Sequence, residues 1–132
     1  MSRSIIETTL AGRETLLRFR DGETLFREGE TPRGVYVLHS GTVNLLFSTK
    51  GGEAKPLREM RPGQILGLSS VVTKRAHDCT AAATGPCKVA FIERDDFLRA
   101  LDDSPAVWFS VLSVLSSEVG AVYDDMRTLA AR

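Results

Sequence analysis

Cysteine is scarce in this 132-residue chain, with Cys79 and Cys87 as the whole complement. Two thiols do not make a disulfide scaffold, and both are expected to be reduced and packed. Histidine is as scarce, at His39 and His77, too few for the several inward-facing imidazoles of a typical metalloenzyme centre. No charge is in excess, since seventeen Lys and Arg balance seventeen Asp and Glu. A phosphate backbone would meet no net positive field, so direct nucleic-acid binding is not expected. No apolar run approaches the roughly 20 residues that span a bilayer. The opening "MSRSIIETTLAG" lacks the apolar stretch of a signal peptide, which predicts a cytoplasmic protein with no membrane contact.

What is present is a chain of two kinds. Over about residues 13–93, short runs such as "TLLRF", "GVYVLHSG", "TVNLLFS", "KPLREM" and "CKVAFIE" alternate with glycine-bearing "RDGET", "REGETPRG", "HSGT", "TKGGE" and "RPGQ". Many short strands between such turns predict an antiparallel barrel or sandwich. Gly51 and Gly52 suit a tight two-residue hairpin, and no internal repeat is expected. Over about residues 94–131 the period becomes helical. "RDDFLRAL" carries acids in its first turn and sets Phe97, Leu98 and Leu101 on one face, as a short helix would. Ser104 and Pro105 then suit the cap and first turn of a longer helix. Along it Trp108, Leu112, Leu115, Val119, Val122, Met126 and Leu129 recur at alternating steps of four and three, the seam of a paired coil rather than the broader stripe of a helix lying on a core.

In order and spacing, "DGETLFREGE", "GVYVLHSGTV", "MRPGQILG" and "IERDDFLRAL" resemble successive motifs of the cyclic nucleotide-binding domain of Crp/Fnr-type bacterial transcription regulators. The resemblance covers nearly the whole chain as one sensor domain. It implies a double-stranded β-helix (jelly-roll) barrel, mainly β with α, followed by a short helix and a long C-terminal dimerisation helix. It also implies a phosphate-binding cassette from Gly67 to about Thr80, with Gly67, Leu68, Ser69, Ser70, Arg75, His77 and Asp78 as ligand-binding candidates. The family's DNA-reading helix-turn-helix module is not in this chain, so DNA contact is expected only through a domain absent here.

The departures fall on the chemistry. Where the family has a glutamate for the ribose hydroxyl stands Leu68, and where it has an arginine for the cyclic phosphate stands His77. Leucine accepts no hydrogen bond, neutral histidine offers one donor in place of a guanidinium fork, and Asp78 would repel a phosphate. Arg75 is close enough in sequence to swing in. The reading is therefore a non-enzymatic, dimeric regulatory domain for an unidentified small-molecule effector. No cofactor or metal is expected, and any binding of cyclic AMP or cyclic GMP is expected to be weak. Restoring the two side chains as Leu68→Glu with His77→Arg is expected to improve it. The alternatives are a nucleotide domain with a non-standard pocket, a haem or redox sensor using His77 and Cys79 on one strand, a ligand-free scaffold, and a cupin-like metalloenzyme.

The seam generates a direct test. Val119→Asp with Val122→Asp should convert a dimer into a folded monomer, because unpaired carboxylates would face each other in low dielectric. Sedimentation of the unmodified protein as a monomer at micromolar concentration would refute the pairing.

Overall fold

The computed structural model describes residues 13–104 and residue 106. The seam from Trp108 to Leu129, and the expected cap and first turn at Ser104 and Pro105, lie outside the described residues or at their edge. Among the described residues six strands and two helices follow in order: β1 (Glu14–Phe19), β2 (Thr24–Phe26), β3 (Gly34–Ser48), β4 (Ala54–Met60), β5 (Ile65–Leu66), α1 (Leu68–Thr73), β6 (Thr80–Glu93) and α2 (Arg94–Asp103). All pairings are antiparallel. The order is β1-β6-β3-β4, with β2 added to β6 and β5 to β3. This is the expected jelly roll. Among the described residues no helix is long and apolar enough to cross a membrane.

β3 and β6 form its spine. Gly34–Leu38 pairs with Val89–Glu93, and after two register shifts Thr42–Leu46 pairs with Thr80–Thr84. "HSGT" is therefore not a turn between two strands, as the sequence suggests, but a bend inside one. β6 bends alongside it, with Gly85 at φ 75 opposite Gly41 at φ 86, so the ladder survives the corner. A Cβ on Gly41 would collide with the Pro86 carbonyl oxygen and the Cys87 sulfur, so only glycine allows the two strands to approach here. The hairpin between β3 and β4 is also longer than the expected two residues. Thr49 N–H donates to Glu53 O at 3.0 Å and Gly52 N–H to Thr49 O at 2.9 Å, which closes a four-residue turn with Gly52 at φ 80.

Strand alternation divides the core in two. Val35, Val37, Ile65, Ala90 and Ile92 point to one side, where Leu68 and Val71 of α1 and Phe97, Ala100 and Leu101 of α2 cover them. Tyr36, Leu38, Leu66 and Val89 point into the roll with Leu25, Phe26, Val43, Met60, Ala81 and Ala83. "VYVL" reads as an unbroken apolar run because both of its faces are buried. Each fully buried Leu, Val or Phe side chain contributes about 1.5–3 kcal/mol.

The roll closes through one corner used three times, a repeat not expected from the sequence: "RDGE", "REGE" and "RPGQ". In each, the arginine N–H donates to the side-chain oxygen of the residue three places on: Arg20 to Glu23 (2.6 Å), Arg27 to Glu30 (2.8 Å) and Arg61 to Gln64 (2.8 Å). In return, the backbone N–H of that acid or amide donates to the arginine carbonyl, at 3.0, 3.1 and 3.1 Å. Gly22, Gly29 and Gly63 all stand at positive φ, as the third position of such a turn requires. The glycine N–H then donates across the roll to Ala83, His77 or Leu38, and that same residue donates back to Glu23, Glu30 or Gln64.

Gly41→Ala should cost about 1–3 kcal/mol or more, because φ strain and collision with fixed backbone coincide. Gly22→Ala, whose Cβ would meet nothing within 4 Å, should cost only the φ penalty of about 1–2 kcal/mol. Urea denaturation of the two variants checks the ranking.

Candidate functional site

α1 starts directly after Gly67 at φ 80 and ends at Lys74 in the left-handed region at φ 59. Val71 N–H donates to Gly67 O at 3.1 Å, and the N–H groups of Lys74 and Arg75 converge on Ser70 O. The Thr73 hydroxyl donates to Ser69 O at 2.7 Å. The helix is thus tied off at both ends, and the chain runs on to His77, whose backbone is held by the second corner. Gly29 N–H donates to His77 O at 2.8 Å, and His77 N–H donates to Glu30 O at 3.0 Å.

The candidate residues share one loop, but their side chains diverge. Leu68 is fully buried and belongs to the helix-side core with Val35, Phe97 and Leu101. Ser70 is buried and Ser69 half-buried, whereas Arg75 and Asp78 are exposed. Arg75 makes no ion pair among the described residues. His77 turns inward. It is 4% exposed, and its ring stacks on Phe26 with centroids 3.8 Å apart and planes 15° from parallel. Its Cε1 stands 3.3 Å from where a Cβ on Gly67 would be, so Gly67 makes room for the imidazole as well as for the turn.

His77 and Cys79 do not share a strand, because β6 begins only at Thr80. Among the described residues no three metal-ligating side chains cluster. The Cys87 thiol is buried and donates to Thr42 O at 3.0 Å, so it ties the bend of β3 rather than facing a ligand.

A cavity of about 210 Å3 is lined by His77 with Thr24, Leu25, Phe26, Glu30, Thr31, Arg33 and Tyr36. A wider cleft of about 450 Å3 adjoins it and is lined by Glu30–Arg33 and Glu93–Asp95, where Arg94 N–H docks on Arg33 O at 2.9 Å. Glu30, Arg33 and Tyr36 are absent from the sequence-based candidates. The signal for Glu30 was the repeated corner, since "REGE" places Glu30 against His77 just as "RPGQ" places Gln64 against Leu38; Arg33 and Tyr36 carry no such signal.

The model of the cyclic nucleotide-binding domain matches residues 16–104. The transcriptional activator protein FnrA of Stutzerimonas stutzeri is 33% identical over 103 residues, which are 76% of this chain and 41% of that protein. The lysophospholipase NTE1 of Kluyveromyces lactis is 27% identical over 110 residues, 79% of this chain and 8% of that protein. The chain therefore spans less than half the length of these relatives. In fold it is similar to the catabolite activator protein of Thermus thermophilus, with a TM-score of 0.80 and 19% identity over 98% of this chain and 59% of that one.

The buried imidazole makes stability depend on pH. Burial lowers the His77 pKa below its ordinary 6.5, with Glu30 and Asp78 opposing the shift. Above about pH 6.5 the ring is neutral in both folded and unfolded chains, and its contribution is fully present. As pH falls from there toward the lower folded pKa, the unfolded chain takes up the proton first and stability is lost. His77→Phe keeps a ring on Phe26 and should flatten the decline as pH falls below about 6.5, as measured by denaturant midpoints.

Proposed function

We propose a function from one premise: this chain belongs to the cyclic nucleotide-binding domain family. Within it, the chain acts as a non-enzymatic, effector-sensing regulatory domain of the Crp/Fnr type whose cassette no longer makes the usual cyclic AMP and cyclic GMP contacts. The observation that carries this reading is the pair of burials at the two key positions. Leu68 is turned into the helix-side core, and His77 is stacked on Phe26. Leu68 cannot meet a ribose without leaving its place, and the space that His77 lines, about 210 Å3, is small for a nucleotide. Arg75 remains exposed beside the equally exposed Lys74, with Asp78 also exposed to oppose an anion.

The packing supports a sensing role. Leu68 and Val71 share one cluster with Phe97, Ala100 and Leu101. A close-packed cluster shifts as a unit, so a change in the cassette reaches α2, which leads toward the proposed dimer seam. Homologous regulators such as FnrA support the regulatory class. Over the aligned segment the likeness to NTE1 covers only 8% of that enzyme, which gives no ground for assigning its catalysis here. Reading of DNA would fall to another module, and pairing of two copies would use the seam from Trp108 to Leu129.

Calorimetric titration tests the cassette. Neither cyclic AMP nor cyclic GMP should bind at micromolar concentration, and micromolar binding of either would overturn the reading. Leu68→Glu with His77→Arg, the restoration suggested by the sequence, should lower stability instead of raising affinity. A carboxylate at position 68 would enter an apolar cluster at a cost of about 1–3 kcal/mol or more. A gain in nucleotide affinity with stability retained would mean that position 68 faces the ligand.

A further inference from the structure

The cavity behind His77 is separate from the cassette surface, because His77 alone of the seven cassette candidates lines it. Its volume of about 210 Å3 lies below the roughly 300–1,000 Å3 of pockets for drug-sized ligands. That scale suits a molecule of amino-acid size and is too small for a nucleotide. One wall is an imidazole, more than nine-tenths buried, that makes no side-chain hydrogen bond among the described residues. No buried side-chain nitrogen is sealed off without a partner, so the ring nitrogens keep some accessible area on a residue that lines the cavity. Another wall is Tyr36, whose hydroxyl donates to Leu25 O at 3.3 Å and keeps its lone pairs for a donor.

Two opposite charges flank this space. Neither Glu30 nor Arg33 is in an ion pair among the described residues. Both are felt inside: burial raises the Tyr36 pKa, Arg33 pulls it down and Glu30 adds to the rise. An anion alone would meet the Glu30 carboxylate, and a cation alone the Arg33 guanidinium. A small molecule carrying both charges satisfies each. We propose that this cavity binds a small zwitterion of the free α-amino-acid type, its carboxylate on Arg33 and His77, its ammonium on Glu30, and its side chain toward Leu25 and Phe26.

The site stands whether or not the cassette takes a nucleotide. Its occupancy would be felt there, because the His77 ring rests against Gly67 and the His77 backbone closes the corner at Gly29 and Glu30.

The test follows the His77 imidazole resonances by NMR during titration with L-alanine, and separately with its two half-molecules, propionate and ethylammonium. L-Alanine should give a saturable shift, with each half-molecule weaker by about tenfold or more. Glu30→Gln keeps the corner, since Gln64 makes the same turn bond to Arg61 N–H, and Arg33→Gln changes an exposed residue. Each should weaken L-alanine by about tenfold. No saturable shift with L-alanine would overturn the proposal. So would propionate or ethylammonium binding as tightly as L-alanine, or L-alanine binding that neither variant weakens. Titration with cyclic AMP, read by calorimetry, reports only on the cassette and separates failure there from failure here.

Discussion

The roll depends on the reciprocal backbone pairing at its three corners. A chain that turns sharply leaves its glycine N–H and the following carbonyl pointing sideways, and each of these groups needs a partner. Here Ala83, His77 and Leu38 take up both at once, so each corner joins segments far apart in sequence. The side-chain oxygen of Glu23, Glu30 or Gln64 satisfies the arginine N–H at the start of the same turn. Geometry is thereby fixed through main-chain atoms and one acceptor oxygen, which either an acid or an amide supplies.

That arrangement makes the shape of the loop independent of the side chain at position 77. His77 is positioned by its own N–H and C=O, so the side chain at that place is free of the task of holding the loop. The imidazole then finds its own contacts, on the face of Phe26 and beside Gly67, where stacking contributes about 0.5–1.5 kcal/mol. Leu68 follows a parallel logic. With no hydrogen-bonding group of its own, its side chain is worth more in the apolar cluster between α1, α2 and the sheet than at a surface. The same burial links α1 to α2.

The division of the core by strand alternation makes this linkage directional. Val35 and Val37 face the helices while Tyr36 and Leu38 face the roll interior. A rearrangement around Tyr36 and His77 therefore lies across the sheet from α2, and the path between them runs through β3 and the loop at Gly67. Gly41 and Cys87, at the bend of the spine, belong to a different end of the roll.

Much of this was legible from local pattern. The glycine turns, the apolar runs of β1, β3, β4 and β6, and the face of α2 around Phe97 and Leu101 follow from backbone φ requirements and side-chain period, which neighbouring residues fix among themselves. The bend at His39–Gly41 read as a turn because its signal is the same glycine, and only β6 running alongside keeps the ladder intact there. The directions of Leu68 and His77 could not be read at all. They are set by Phe97 and Leu101 for the one and by Phe26 and Glu30 for the other, partners brought near only when β2, α1 and α2 close on the sheet. Sequence determined which residues stand in the cassette; tertiary packing decided which way they face, because burial is a property of the assembled core and not of the segment.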